Sequence, residues 1–271
     1  MTFYVEIFGI EGREMTKILF FDVDGTLYDS EKKLPNSAKL AVKEAKANGY
    51  EIAIATGRAP FMIEPLLREL EIDTYVSFNG QYVVYKGKVI WSDGVDNETL
   101  REIITFGQSR NEPVVFLDEK EMIASIDLDT RIDESLATLK YPYPRIDATF
   151  YQEQPVYQTL VFVTEEDEHL YKTKFPNVQF VRWHPYSCDV LPKHGSKARG
   201  IEKLLTHMGK TFDDAIAFGD GLNDIEMIQA VGTGVVMSNG HEKTLVVADI
   251  IAPHVDEDGI AKVMKEMKII S

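Results

Sequence analysis

The chain has 271 residues, a formal net charge of −15 and a pI near 4.9, and 44% of its residues are hydrophobic. This length suits one large domain or two smaller ones, with enough apolar residues for a sizeable core. Such an acidic chain lacks the basic face that nucleic acids require. It also contains no apolar run long enough to span a membrane, and its single cysteine, Cys188, permits no intrachain disulfide. We therefore expect a cytoplasmic protein that binds neither nucleic acid nor membrane.

The first fourteen residues differ in character from the rest of the chain. Residues 10–13 read Ile-Glu-Gly-Arg, the recognition sequence of a protease that is used to remove purification tags. We expect residues 1–14 to be an added leader outside the functional chain. A native extra strand is the alternative.

The stretch Lys17–Leu27 is the most informative part of the chain. Ile18–Phe21 are apolar without alternation, which indicates a strand buried on both faces of a parallel sheet. Asp22 and Asp24 follow at its carboxyl end, where open α/β sheets bind ligands, and Gly25 breaks the strand. Two acids there are costly unless a cation or a reaction uses them. The pair suits a nucleophile, Asp22, beside a general acid and base, Asp24, although a solvated Asp-Gly turn is the alternative.

A second apolar run, Tyr50–Ala55, ends in Thr56, Gly57 and Arg58, before a helix that begins near Pro60. A hydroxyl, a glycine amide and a guanidinium at the end of a strand form a good receptor for phosphate oxygens. The same tripeptide is also a common turn.

Apolar strands alternate with helical stretches in the outer parts of the chain. The predicted helices are Ser37–Asn48, Ile63–Leu70 and Lys197–His207, and Asn36-Ser37 is a plausible N-cap for the first. This alternation predicts a parallel sheet with helices on both faces.

The middle of the chain has a different pattern, which fits an antiparallel sheet with helices on one face. It begins with a hairpin that turns near Gly87. The remaining predicted strands are Val114–Leu117, Met122–Ser125, Val156–Val163 and Val178–Trp183, and the predicted helices are Asn97–Arg110, Glu134–Leu139 and Glu165–Lys174.

The stretch Asp214–Asp224 repeats the pattern of the first strand. A short apolar strand leads into Asp220, Asn223 and Asp224, and such oxygen-only ligands favour Mg²⁺ over zinc or copper. Lys197, at the predicted start of a helix, adds a positive charge where anions are already favoured.

Taken in order, Asp-x-Asp-Gly-Thr, Thr-Gly-Arg, a lone Lys and Gly-Asp-Gly-x-Asn-Asp resemble the four signatures of the haloacid dehalogenase-like hydrolase superfamily. The last form, together with Ser77–Gly80, resembles its Cof-type (subclass IIB) sugar phosphatase branch. This resemblance implies a doubly wound, Rossmann-like α/β core, residues 15–81 and 190–271, and an inserted α+β cap domain, residues 82–189. The likeness runs from Met15 to nearly the end of the sequence; it is strict only at the motifs and is diffuse between Tyr82 and Tyr186.

The resemblance also implies chemical roles. Asp22 would attack the phosphorus of a phosphomonoester and form an aspartyl-phosphate, while Asp24 protonates the leaving oxygen and then activates water. Mg²⁺ would be held by the Asp22 side chain, the Asp24 main-chain carbonyl and Asp220. Asp224 would be either a direct ligand or a partner of one.

The remaining implied roles concern phosphate and substrate. Thr56, Gly57 and Lys197 would hold the phosphoryl oxygens, with Asn223 assisting. We expect the loss of Lys197 to lower kcat sharply and to leave the fold intact. The expected substrate contacts are Arg58, Asn79 and Arg182. For Asn79 the alternative is turn formation, and for the segment around Arg182 it is packing within the cap.

The sequence therefore predicts a cytoplasmic, Mg²⁺-dependent phosphatase that acts on small phosphorylated metabolites, with hexose and pentose phosphates first. One alternative is a phosphotransferase of the same fold, such as a phosphomannomutase, and another is a phosphatase for a flavin precursor or pyridoxal phosphate. A non-catalytic phosphate sensor is disfavoured because Asp22, Asp24, Lys197 and Asp220 are all present. The oligomeric state is not indicated.

Overall fold

The computed structural model describes residues 17–271, so the expected leader, residues 1–14, lies outside the described residues. The strands within that range are β1 (Ile18–Phe21), β2 (Glu51–Ala55), β3 (Tyr75–Ser77), β4 (Tyr82–Tyr85), β5 (Lys88–Ser92), β6 (Val114–Leu117), β7 (Met122–Ala124), β8 (Arg145–Ile146), β9 (Gln158–Val161), β10 (Val178–His184), β11 (Ser187–Pro192), β12 (Ala215–Gly219), β13 (Thr233–Met237) and β14 (Ile250–Ala252). The α-helices are α1 (Asn36–Ala47), α2 (Pro60–Leu70), α3 (Asn97–Ser109), α4 (Thr130–Thr138), α5 (Phe150–Glu153), α6 (Glu165–Lys174), α7 (Lys197–Met208), α8 (Ile225–Ala230), α9 (Glu242–Leu245) and α10 (Gly259–Glu266).

The core is built on a sheet with the strand order β14-β13-β12-β1-β2-β3-β4-β5. The strands from β14 to β3 are parallel, and β1 lies near the middle, between β12 and β2. Its side chains alternate between the two faces: Leu19 and Phe21 pack with α1, α2 and α10, while Ile18 and Phe20 pack with α7 and α8. The predicted doubly wound α/β sheet, with helices on both faces, is therefore confirmed.

The hairpin formed by β4 and β5 belongs to this core sheet. From the sequence we expected it in the cap, but β4 pairs antiparallel with β3, with Tyr75 opposite Val84, and β5 forms the edge. A hairpin pattern predicts a pair of strands, but it does not say which sheet the pair will join. At the other boundary, β11 runs to Pro192 within the cap sheet, slightly beyond the expected position.

The cap is a second sheet with the strand order β10-β11-β9-β6-β7-β8, antiparallel except between β7 and β8. Helices α3 and α6 cover its outer face. Its inner face packs toward the core, where Leu117 and Leu160 of the cap meet Phe78 and Tyr82. Helix α4 also packs on this inner side, through Ile132 and Leu136, so the helices are not confined to one face as predicted.

The start of α1 differs from the prediction. Pro35 is the N-cap residue and no side chain caps the helix, so Asn36 lies inside the first turn. The Ser37 hydroxyl instead hydrogen-bonds to the Asp258 carboxylate, which precedes α10. The hydrogen bond between Ser37 and Asp258 therefore links the starts of α1 and α10, a long-range contact that local sequence does not specify.

None of the helices in residues 17–271 combines the length and apolar character needed to cross a bilayer.

Gly80 allows the closest approach between the turn after β3 and the start of α7. Its φ is +97°, and a Cβ at this position would lie 1.9 Å from the carbonyl oxygen of Ser196, the N-cap residue of α7. Gly87, in the β4–β5 turn, also has a positive φ of +72°, but a Cβ there would meet nothing within 4 Å. Gly80 is therefore required for both conformation and space, and Gly87 for conformation alone.

We expect Gly80→Ala to lower the free energy of unfolding by about 2–4 kcal/mol, because backbone strain and a steric clash add together. Gly87→Ala should cost only about 1 kcal/mol, from the left-handed backbone conformation. Urea denaturation of both variants would measure the difference. Equal losses in the two variants would show that the clash with Ser196 is relieved by a small backbone shift.

Candidate functional site

The carboxyl ends of three adjacent strands and the start of one helix meet at one edge of the core sheet. Asp22 follows β1, Thr56 follows β2, Asp220 follows β12, and Lys197 opens α7. The three strands are neighbours and parallel, so their ends lie side by side. A cavity of about 510 Å³ between core and cap is lined by Asp22, Thr56 and Asp220 on the core side.

Lys197 is the centre of a buried charge cluster. Its Nζ donates to Asp22 Oδ1 and to Asp224 Oδ1, both at 2.6 Å. Lys197 is 1% exposed, Asp22 6% and Asp224 0%, so all three charges are withdrawn from water. Burial disfavours the charged amine, but Asp22 and Asp224 outweigh this and hold the pKa of Lys197 above its ordinary value. Lys197 is thus a permanent internal cation for two acids.

The surroundings of Asp22 and Asp220 disfavour the ionised form of each carboxyl group. Burial raises the pKa of Asp22 well above its ordinary value against the pull of Lys197, and Asp224 and Asp220 raise it further. Burial and the neighbouring Asp224 raise the pKa of Asp220 to about 6. One lysine therefore does not neutralise the whole cluster.

The carboxylates of Asp22, Asp220 and Asp224 could hold a metal ion. One ligand oxygen from each lies within 4.8 Å of the others. The donors are all oxygens, which fits a hard cation such as Mg²⁺. A divalent cation would also relieve the excess negative charge of the cluster. The Asp24 side chain is not part of this group, and the expected contribution of its main-chain carbonyl stays a prediction.

Asp224 also shapes the turn after β12. Its Oδ2 accepts hydrogen bonds from the backbone N–H groups of Asp220, at 2.9 Å, and Gly221, at 2.8 Å. With Lys197 on Oδ1, both of its oxygens already have donors. Asp224 therefore orients Lys197 and the Asp220 loop. This favours a role as a partner of a metal ligand over a role as a direct ligand.

Gly25 and Thr26 hold Asp220 close to the first motif. Thr26 Oγ1 donates to Asp220 Oδ1 at 3.0 Å. A Cβ on Gly25, whose φ is +78°, would lie 2.3 Å from Asp220 Oδ2. The glycine of the first motif is thus needed for the approach of the acid that follows β12.

Asp24 forms a bidentate ion pair with Arg58. Arg58 Nε donates to Asp24 Oδ2 and its terminal nitrogen to Asp24 Oδ1, each at 2.6 Å. Burial opposes the charge on Arg58, but the hydrogen bonds and charge of Asp24 raise the pKa of the guanidinium. Arg58 does line the cavity, as expected of a substrate contact, yet its donors are directed at Asp24. It holds the expected general acid and base in place.

Asn79 connects two of the predicted phosphate-binding loops. Its backbone N–H donates to the Thr56 carbonyl at 3.0 Å, and its Oδ1 accepts from Asn223 Nδ2 at 2.9 Å. A Cβ on Gly57 would lie 3.0 Å from the Asn79 amide. Asn79 is 4% exposed with φ +50°, so the turn-forming alternative agrees with the structure. The amide of Asn223 is used for this link.

Arg182 borders the cavity, but its charged group points away from it, so the expected substrate contact by the guanidinium is corrected. Its Nε donates to Glu168 Oε2 at 2.6 Å, and its terminal nitrogens donate to the carbonyl oxygens of Val163, His184 and Pro185. Side chains alternate along a strand, so the residues on either side of Arg182 face the core while Arg182 points to the α6 side. Each of the three guanidinium nitrogens of Arg182 donates to a group in the outer layer of the cap.

Asp189, an acid on the inner face of the cap sheet, was not among the predicted site residues. It lies in β11 between Val181 of β10 and Leu160 of β9, and all three line the cavity. Burial raises the pKa of Asp189 to about 7, against hydrogen-bonding contributions from Gln158 and Trp183. In the sequence, the signal for Asp189 is an acid within a short apolar strand. This signal indicates a site residue only once it is known which face of the cap sheet lines the cavity.

Comparison with known proteins gives consistent results. A family model described as haloacid dehalogenase-like hydrolase matches residues 19–264. YkrA of Bacillus subtilis (strain 168), whose name assigns it provisionally to the phosphatases, is 40% identical over 255 residues, which cover 94% of this chain and 99% of YkrA.

Two solved structures are also similar to this chain. The crystal structure of a protein from Geobacillus kaustophilus HTA426 is 45% identical, with a TM-score of 0.91, and the match covers 94% of this chain and 100% of that one. A subclass IIB sugar phosphatase of the same superfamily is 31% identical, with a TM-score of 0.82 and the same two coverages.

The burial of Lys197 changes the prediction for its removal. Lys197→Met leaves Asp22 and Asp224 buried without their shared cation, so we expect a loss of about 3–5 kcal/mol of folding free energy in EDTA. Mg²⁺ should restore part of this loss, because it can replace the missing positive charge. Urea denaturation with EDTA and with Mg²⁺ measures both effects. Lys43→Met, at an exposed position of α1, is the matched control. Equal stabilities of the two variants in EDTA would contradict the assigned role of Lys197.

Asp189 should lower the stability of the fold at neutral and alkaline pH. Its pKa is about 7 in the folded chain against an ordinary value of 3.8, so folding favours the protonated form. This unfavourable contribution is absent below the unfolded pKa, grows as pH rises and is complete above pH 7. We expect Asp189→Asn to stabilise the protein by about 1–4 kcal/mol at pH 8 and by much less at pH 4. Thermal unfolding across this range measures the change, and a pH-independent difference would contradict it.

Proposed function

This chain belongs to the haloacid dehalogenase-like hydrolase family, and we propose that its phosphatase activity depends on Mg²⁺ and acts on small phosphomonoesters, sugar phosphates first. The observation that carries this proposal is the position of Asp22, which lies at the cavity wall beside Lys197 and a set of oxygen ligands. The similarity to a sugar phosphatase of subclass IIB supports the substrate class. A cavity of about 510 Å³ accommodates a phosphorylated hexose.

Asp22 acts as the nucleophile in this proposal. Lys197 holds Oδ1 of Asp22 and so fixes the carboxylate, which presents its other oxygen to the phosphorus. As the new oxygen–phosphorus bond forms, the bond to the leaving oxygen breaks, and Asp24 supplies the proton that this oxygen requires. Asp24 then takes a proton from the water that attacks the aspartyl-phosphate, and Asp22 is regenerated.

Arg58 positions Asp24 in the proposed cycle. Its bidentate pair engages both carboxylate oxygens of Asp24 and so fixes the direction of that carboxylate. Proton donation in the first step requires Asp24 to release one of these bonds. Arg58 is therefore proposed to move toward the phosphoryl oxygens when substrate binds.

Charge neutralisation completes the site. Thr56, Gly57 and Lys197 are proposed to bind phosphoryl oxygens. Asp22 and Asp220 would hold Mg²⁺ with Asp224 in support, and the ion supplies positive charge that phosphoryl transfer requires. We also place the protein in the cytoplasm, because its single cysteine is a buried free thiol and needs no oxidising compartment.

Release of free phosphate from a panel of sugar, nucleotide and cofactor phosphates tests this function. With Mg²⁺ we expect turnover that EDTA abolishes and that Asp22→Asn lowers by roughly 10³-fold or more, because the amide is not a nucleophile. Asp127→Asn, at an exposed position of the cap, is the matched control for loss of one carboxylate. Thermal shift with Mg²⁺ provides an independent readout, and Asp220→Asn should reduce it. No phosphate release by the folded, Mg²⁺-loaded protein would refute the proposal.

A further inference from the structure

The inner face of the cap sheet carries polar groups in a mostly apolar wall. Facing the cavity are the apolar side chains Leu117, Met122, Leu139, Leu160 and Val181. Asp189 lies among them, directly across from Leu160 and Val181 in neighbouring strands. Gln158 and Trp183 line the same part of the cavity. These three polar groups belong to the end of the cavity that the cap forms, whereas the proposed nucleophile belongs to the core.

Two of these groups carry buried polar atoms without partners. Gln158 is 5% exposed, and its Oε1 makes no hydrogen bond. The Nε1 of Trp183 is likewise buried and makes no hydrogen bond of ordinary geometry, although the indole lies close enough to Asp189 to affect its pKa. Unsatisfied buried groups are costly, so a cluster of them on a cavity wall is suited to binding polar groups of a ligand.

The chemistry of the cluster selects the kind of ligand. Asp189 and Gln158 Oε1 are acceptors, and the Trp183 indole is a donor. A hydroxyl group both donates and accepts, so it can pair with either kind of atom in the cluster, whereas an ammonium could not accept from the indole. A ligand with several hydroxyls would satisfy the cluster best.

The charges around the cavity disfavour a second anionic group on the substrate. Two arginines border the cavity, and each already pairs with an acid: Arg58 with Asp24, and Arg182 with Glu168 on the far side of the sheet. The side chains that act on Asp189 are those of Gln158 and Trp183, and both are neutral. A distal carboxylate or phosphate would therefore meet Asp189, while both arginines among the described lining residues already have an acidic partner.

We propose that Asp189, Gln158 and Trp183 form a distal subsite that binds hydroxyl groups of the leaving group and rejects leaving groups with a second negative charge. This inference rests on the proposed phosphatase function, because it assumes that the phosphoryl group lies at Asp22. It assigns specificity to cap residues that contact the substrate far from the reacting atoms.

The test compares three phosphomonoesters in the presence of Mg²⁺ at about pH 8.5, where Asp189, whose pKa is about 7, is ionised. Glucitol 6-phosphate carries neutral hydroxyls, 6-phosphogluconate replaces the distal hydroxymethyl group with a carboxylate, and 4-nitrophenyl phosphate carries no hydroxyl. We expect kcat/KM for glucitol 6-phosphate to exceed that for 6-phosphogluconate by roughly tenfold or more. Asp189→Asn should narrow this preference by about tenfold, because it removes the repelling charge.

A second variant separates hydrogen bonding from charge. Gln158→Met removes the unpartnered acceptor at similar size, so kcat/KM for glucitol 6-phosphate should fall by roughly tenfold relative to 4-nitrophenyl phosphate. Its preference for glucitol 6-phosphate over 6-phosphogluconate should fall far less than in Asp189→Asn. Asp127→Asn, which removes an exposed acid of the cap, should keep every ratio within about twofold of the unaltered protein. The thermal unfolding of each variant shows that it is folded.

The outcomes distinguish the two proposals. If the unaltered protein releases no phosphate from any of the three esters, the phosphatase function itself fails. If it releases phosphate but prefers 6-phosphogluconate, the subsite inference is overturned while the phosphatase function stands. The inference is overturned in the same way if both Asp189→Asn and Gln158→Met keep the ratios of kcat/KM between the esters within about twofold of those of the unaltered protein.

Discussion

The ammonium group of Lys197, shared between Asp22 and Asp224, is the interaction on which the core site depends. It joins the end of β1, the start of α7 and the turn after β12, three segments that are far apart in sequence. None of these charges could be buried alone, since an uncompensated ion in the interior is strongly unfavourable. The arrangement supplies a positive charge before any ligand arrives, so the proposed nucleophile, Asp22, and its surroundings are positioned by the fold itself.

Several smaller constraints serve this same pairing. Gly80 lets the turn after β3 approach the N-cap of α7, and Gly25 lets Asp220 approach the first motif. Arg58 holds Asp24 in a second, partly exposed ion pair next to the buried one. The site therefore combines a rigid, buried pair with a more exposed pair at the cavity. This difference suits the roles that we propose for Asp22 and Asp24, because a nucleophile must be fixed, whereas a group that transfers protons must change partners.

The sequence predicted that the core residues would lie together, because they follow directly from strand ends. In a parallel sheet, residues after adjacent strands meet at one edge, so Asp22, Thr56 and Asp220 could be brought together without knowledge of the tertiary structure. The predictions that were wrong or missing concern features that strand ends do not determine. The partner sheet of the β4–β5 hairpin, the direction of Arg182 and the exposure of Asp189 to the cavity all depend on strand pairing and on which face of the cap is covered. The pattern of a single strand does not contain that information.

The raised pKa of Asp189 has a consequence for the evolution of the chain. The ionised form of Asp189 is disfavoured in the folded chain, so a neutral side chain of similar size at this position would stabilise the fold above pH 7. Selection for thermal robustness alone would therefore tend to remove it early, while selection for the turnover of a particular metabolite would keep it. Relatives that carry a hydrocarbon side chain at this position should accordingly unfold at a higher temperature and discriminate less between substrates. The residue found there thus reflects a trade-off between thermal stability and substrate specificity.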